Sequence, residues 1–276
     1  MPKNIILTSL KESFTQIFKN KSLFLLLIIL QIIFFIFLSL ISSIYIPKIQ
    51  QNAKLMYDYL NQQKLDEISV TQNILQQKNI LGDDPLSLSR YFSEIIKNFR
   101  IYLAYIFILS VVFISAIWAA SHKLIHKHSY QKSLNNFSKI FIIVFFYLGL
   151  MFLFFFSLLN ISFTEAALNM TMVLGKYLLF FFASIILLYF MFISISLADK
   201  IELRDIVQKT LGIGIRKIHY LLTIYCINIF FILISLILLF YFSETNFLIV
   251  FLAIILFVFS FLLGRIFILN VVEKLE

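Results

Sequence analysis

The chain has 276 residues, of which 61% are hydrophobic and only 13% charged, with a formal net charge of +9. Typical soluble domains carry roughly 45–50% apolar and about 25% charged residues, so a chain of this size cannot hide that much apolar surface, and lipid must cover part of it. The single cysteine, Cys226, excludes an internal disulfide or a cysteine metal cluster; within its apolar run it is expected to be a buried, inert thiol.

The first element is half polar. Leu7, Leu10, Phe14, Ile17 and Phe18 recur at helical spacing, with Lys11, Glu12 and Gln16 off the stripe. This pattern predicts an amphipathic helix in the headgroup layer that turns down at Lys19-Asn20-Lys21. The first membrane span, Leu23 to Ile46, is too long for a secretory h-region of about 7–15 residues and is followed by no cleavage site, so it is read as a permanent helix.

Residues 47 to 100 form the one long polar connection. Ile49, Ala53, Met56 and Leu60 continue a helical stripe after Pro47. Gly82-Asp83-Asp84-Pro85 reads as a turn with Asp84 as N-cap and Pro85 at the first helical position. From there Leu88, Tyr91, Phe92, Ile95 and Phe99 keep helical spacing into the second span, Ile101 to Ala120. One helix from Pro85 to His126 is predicted, on the order of 60 Å long, with Arg90 and Glu94 one turn apart and able to pair. Such a helical excursion suits contact with a protein partner or a second copy of the chain, and equally a passive spacer.

Three histidines, His122, His126 and His128, follow the second span. The first two share a helical face, as in zinc proteases, but Lys123 stands where those enzymes carry a glutamate and no carboxylate is near in sequence. They are read as interfacial basic residues, with a metal site as the lesser alternative. Tyr130, Leu134, Phe137 and Phe141 then make a second amphipathic lead-in to the third span, Ile140 to Ile161. Two sequons, Asn160-Ile161-Ser162 and Asn169-Met170-Thr171, precede the fourth span, Tyr177 to Leu197. Leu203, Ile206, Val207 and Leu211 give a third lead-in, ending at Arg216-Lys217 before the fifth span, Tyr220 to Phe242. The sixth, Phe247 to about Leu269, is interrupted by Gly264 and Arg265, whose side chain is expected to snorkel toward headgroups.

The expected fold is therefore all-α: one polytopic membrane domain of six transmembrane helices, arranged as three hairpins with amphipathic lead-ins. With six spans, 15 cations and 6 acids fall on the side of the termini, and 8 of each on the other. The whole surplus of +9 lies on one side, which the positive-inside rule makes cytoplasmic, in a cell membrane. Lys11, Lys19, Lys21, Lys132, Lys139, Arg216 and Lys217 cluster at the span entrances and are the expected contacts for anionic lipid headgroups.

Enzyme signatures are missing. There is no GxSxG elbow and no phosphate loop, and Gly212-Ile213-Gly214 lacks the third glycine of a dinucleotide fingerprint. Asp199 ends the fourth span, but the other spans hold no acid at their centres to face it, so an aspartyl intramembrane enzyme is not expected. No cofactor and no nucleic acid are expected. The sparse polar residues within spans, among them Gln31, Ser115, Asn228, Ser235 and Ser260, are expected to join helices by hydrogen bonds.

The lead-in SLKESFTQIFKNKSLFLL and the second-span exit IWAASHKLIHKHSYQKSLNNFSKIF resemble those of prokaryotic six-helix membrane proteins, including the membrane domain attached to some glycerophosphoryl diester phosphodiesterases. The resemblance is one of layout over the whole chain. It implies a membrane fold but supplies no site residues, and without the catalytic domain of those enzymes it implies no phosphodiesterase activity. The leading reading is a non-enzymatic integral membrane protein organising lipids or partner proteins; the alternative is a permease subunit of a transporter, of the kind a separate ATPase drives.

Overall fold

In the computed structural model, which describes residues 5–67, 85–126, 129–159, 170–242, 244 and 246–276, every regular element is a helix. There are eight among the described residues: α1 (Ile5–Lys19), α2 (Lys21–Glu67), α3 (Pro85–His126), α4 (Tyr130–Leu158), α5 (Met170–Leu197), α6 (Leu203–Arg216), α7 (Ile218–Tyr241) and α8 (Phe247–Leu275). Six of them, α2 to α5 with α7 and α8, are long and apolar enough to cross a membrane. Their outward surfaces carry bare hydrocarbon: Leu179 is 70% exposed and Ile237 64%. Only lipid tolerates such a surface, so the chain is a multi-pass membrane protein.

The predicted helix from Pro85 to His126 forms over that range. Pro47 lies inside α2 without ending it, so the first span and its outward continuation are one helix of 47 residues. The expected turn at 82–84 lies outside the described residues, as do both sequon asparagines. Glu94 is met by Lys97 at 3.2 Å, one turn on, instead of by Arg90. The lead-ins divide into two kinds. The first and third form separate helices, α1 and α6, because the chain breaks at Asn20 and at Lys217, whose backbone (φ −114°, ψ 21°) leaves the helical region. The second has no such break and runs straight into its span as α4.

The chain divides into two compact units. One comprises 36–109 and 151–182. Within it, aromatic rings join the helices: Tyr45 of α2 meets Tyr102 and Tyr105 of α3, and Phe99 and Phe107 of α3 meet Phe155 and Phe152 of α4. Arg100 donates to the carbonyl of Leu159 at 3.3 Å, satisfying an acceptor just past the end of α4.

The other unit comprises 1–35, 110–150 and 183–276. Its core lies around α8, where Ile17 of α1, Leu27 of α2 and Ile117 and Leu124 of α3 pack with Val258, Leu262, Leu263 and Ile266. Polar residues fasten this apolar packing, as expected. Ser235 of α7 bonds Ser260 of α8 at 3.0 Å, and Asn228 donates to the Gly264 carbonyl at 3.2 Å. Asn270 of α8 donates to Ser13 and Gln16 of α1 at 2.8 and 2.9 Å, and Gln16 donates back at 3.2 Å. Small residues at these contacts let backbones approach, which matters where lipid tails compete equally for apolar surface.

Two expectations are corrected here. Cys226 is exposed, because it lies off the Leu221, Ile224 and Asn228 face by which α7 packs. Arg265 does not snorkel: its Nη2 donates to Gln31 Oε1 at 2.7 Å. Gln31 lies ten residues into α2 and Arg265 ten residues before the end of α8. At 1.5 Å per residue both sit about 15 Å along their helices, deep enough to find each other before water.

Candidate functional site

The second unit gathers its ionisable side chains where three helices end. His122 and His126 occupy the last turn or so of α3, Asp199 lies two residues beyond α5, and Glu273 sits in the last turn of α8. Each of these C-termini carries roughly half a negative charge from its unpaired carbonyls. Two carboxylates added to three such ends make a place where cations are favoured.

His122 is fully buried. Its Nε2 lies 3.0 Å from the carbonyl oxygen of Ile195 in α5. Only a protonated nitrogen can make that contact, so Nε2 carries a hydrogen, and in the neutral ring Nδ1 keeps its lone pair. Nδ1 has no hydrogen-bond partner among the described residues. One turn on, the His126 ring stacks on His122 with centroids 6.4 Å apart. His126 Nε2 is hydrogen-bonded to Glu273 Oε1, and Asp199 Oδ2 lies 3.9 Å from the same nitrogen. One ligand atom each from His122, His126 and Asp199 falls within 4.8 Å of the others, a spacing fit for a metal ion.

Among the described residues, two lysines face this cluster from outside. Lys132 Nζ is 3.8 Å from Asp199 Oδ1, and Lys200 Nζ is 3.9 Å from Glu273 Oε2. Both are long contacts with the lysine side chains 54% and 41% exposed. Lys139 behaves differently. Its ammonium bonds the carbonyls of Ile201 and Ala198 at 3.1 and 3.5 Å, covering the chain where α5 ends. Lys139→Met, which keeps the apolar stem and loses the charge, is expected to cost about 1 kcal/mol of stability. Thermal unfolding in detergent checks this, with the exposed Lys11→Met expected to be near neutral.

The sequence reading discounted the histidines because no carboxylate lay near them. The structure corrects that reason: the carboxylates arrive from the ends of α5 and α8. Nothing in local spacing could announce them, since Glu273 is 147 residues from His126. His128 lies outside the described residues. Of the expected lipid contacts, Lys11, Lys19, Lys21, Lys132 and Arg216 are exposed, while Lys139 and Lys217 are half-buried.

Beside these residues, α6 presents three faces rather than the two expected. α6 buries Ile206, Thr210 and Gly214 against its own unit. Thr210 bonds Ser194 of α5 at 3.0 Å, and the Tyr189 hydroxyl donates to the Gly214 carbonyl at 2.7 Å. Leu203, Val207, Leu211 and Ile215, spaced at four residues, form a second, exposed apolar face. The third face carries Asp205, Lys209 and Arg216, while Arg204 borders the apolar one. α1 likewise buries Ile5, Ser9, Ser13 and Ile17 and leaves Leu7 and Phe18 exposed beside Lys11 and Lys19.

No family model, no curated protein and no solved structure matches this chain.

Proposed function

We propose that this multi-pass membrane protein gathers anionic lipid headgroups around α1 and α6, and organises lipid or partner proteins there without catalysing a reaction. The observation that carries the reading is the exposed apolar face of α6, Leu203, Val207, Leu211 and Ile215, on a helix whose other exposed face is charged. A helix with one face fixed to its own protein and a bare apolar face beside cations matches the boundary between acyl chains and headgroups. In α1, exposed Leu7 and Phe18 lie beside Lys11 and Lys19, and Lys21 follows at the start of α2. Each basic residue near an anionic surface contributes about 1 kcal/mol. In this reading the basic side, with both chain ends, faces the cytoplasm of a cell membrane, as the charge partition favours.

The test uses the full-length chain in nanodiscs of mixed phosphatidylcholine and phosphatidylglycerol, with the retained lipid measured by native mass spectrometry. Wild type is expected to enrich phosphatidylglycerol, and the quadruple change of Lys11, Lys19, Lys21 and Arg216 to glutamine to reduce the enrichment at least about fivefold. Raised salt should weaken the enrichment. Equal retention of the two lipids by wild type, or enrichment unaltered in the variant, refutes the reading. Co-purification of an ATPase would move the assignment to the permease alternative.

A further inference from the structure

We infer that His122, His126, Asp199 and Glu273 bind one divalent metal ion of the zinc class, which fastens the ends of α3, α5 and α8 to one another. The histidines supply two imidazoles from one helical face, and the acids supply oxygen donors from two other helices. Imidazole with carboxylate is a donor set for zinc and its first-row neighbours rather than for calcium or magnesium, which favour oxygen alone.

His122 carries the strongest sign of a ligand. It is fully buried, and its one hydrogen bond, Nε2 to the Ile195 carbonyl at 3.0 Å, fixes the tautomer that leaves Nδ1 free to bind. Metal-ligating histidines are held in this way, with the second ring nitrogen donating to a carbonyl or carboxylate. That Nδ1 is otherwise a buried polar atom with no partner among the described residues. Leaving it so costs free energy that a metal bond would recover.

The other donors converge on the same place. His126 Nε2 is approached by carboxylate oxygens of both Glu273 and Asp199. A dication among them is attracted to both carboxylates. In a tetrahedral site with metal–nitrogen and metal–oxygen bonds of about 2.0–2.2 Å, ligand atoms stand about 3.4 Å apart. One ligand atom each from His122, His126 and Asp199 lies within 4.8 Å of the others, so the widest of these pairs closes by up to about 1.4 Å, which side-chain rotation supplies, and Glu273, outside that group of three, approaches through its contact with His126. The three helix ends add their partial negative charges. Lys132 and Lys200, at 3.8 and 3.9 Å and about half exposed, swing into water as the ion takes over their role of balancing the acids.

The experiment takes the full-length chain in mild detergent, strips it with EDTA, and reloads it with Zn²⁺ or Co²⁺. Wild type is expected to retain one Zn²⁺ per chain through gel filtration, and Co²⁺ to develop the visible absorption of a four- or five-coordinate site. Asp199→Asn and His122→Phe should each weaken Zn²⁺ binding by at least about a hundredfold. Lys200→Ala should leave it unchanged or tighter. Zn²⁺ should also raise the thermal midpoint of wild type, and EDTA should reverse the rise. If His122→Phe does not fold, the nearly isosteric Asp199→Asn and Glu273→Gln carry the comparison. Wild type without stoichiometric metal, or the same affinity in folded Asp199→Asn and Glu273→Gln, overturns the inference and leaves an ion-pair cluster.

Discussion

Replacing Gln31 with leucine is expected to destabilise the protein by about 2 kcal/mol, and adding Arg265→Leu to recover most of the loss. The reason is an asymmetry between the two partners. Gln31 is 1% exposed and provides the oxygen that Arg265 Nη2 meets at 2.7 Å. Arg265 Nη1 is already buried without a partner among the described residues. Interhelical hydrogen bonds between neutral groups in membranes average only about 0.6 kcal/mol. Stranding a guanidinium is a different matter, because bonds to charged groups contribute about 1.5–3 kcal/mol and an arginine at mid-span costs about 2.5–3.5 kcal/mol to insert. Losing the glutamine strands a charge; losing the arginine strands only an amide. The expected order of thermal midpoints in detergent is therefore Gln31→Leu well below wild type, with Arg265→Leu and the double variant near or above it. A Gln31→Leu midpoint equal to that of wild type would mean that the guanidinium reaches headgroups by another route, as the sequence alone suggested.

Gly214→Val is expected to cost about 2–3 kcal/mol, whereas Gly212→Ala, two residues away, should stabilise by somewhat under 1 kcal/mol. Both glycines lie in α6, and a glycine in a helix ordinarily forgoes about 1 kcal/mol relative to alanine. At Gly212 a methyl group would meet nothing within 4 Å, so the propensity gain stands. At Gly214 a Cβ would lie 2.7 Å from Cε1 of Phe190 and 3.3 Å from Cδ1 of Ile193. The ring must move or α6 must lift from α5. Lifting breaks the bond from the Tyr189 hydroxyl to the Gly214 carbonyl and the neighbouring Ser194–Thr210 pair. Gly214→Ala, where about 1 kcal/mol of helix propensity offsets the crowding, should fall between the two. Thermal midpoints of the three variants in one detergent decide the matter. Equal effects at both positions would mean that α6 does not dock through Gly214.

The two predictions bear on different layers of the same problem. Arginine within the sixth span was legible as an anomaly in the sequence, but not its partner, which sits 234 residues away. Gly214 was legible only as half of an incomplete fingerprint; that it marks a tight contact between two helices depends on where Phe190 falls. The basic residues show the same division. Their number and side follow from the spans, yet Lys139 caps the end of α5 while Lys11 stays exposed, and the spacing of the lysines does not separate those roles.

The sequence by itself determined the solvent, the helices and the number of spans. A run of about 20 apolar residues sets a span because each backbone group must bond within its own helix in hydrocarbon, and those bonds reach only four residues. The same locality fixed the helix from Pro85 to His126. Only the tertiary structure decided which face of each helix meets protein and which meets lipid, so Cys226 turned outward and the polar side of α1, through Ser13 and Gln16, turned to Asn270. It alone brought His122, His126, Asp199 and Glu273 together. Helical periodicity states which residues share a face but not what that face touches; in lipid, where apolar contact discriminates little between partners, shape and a few hydrogen bonds make that choice.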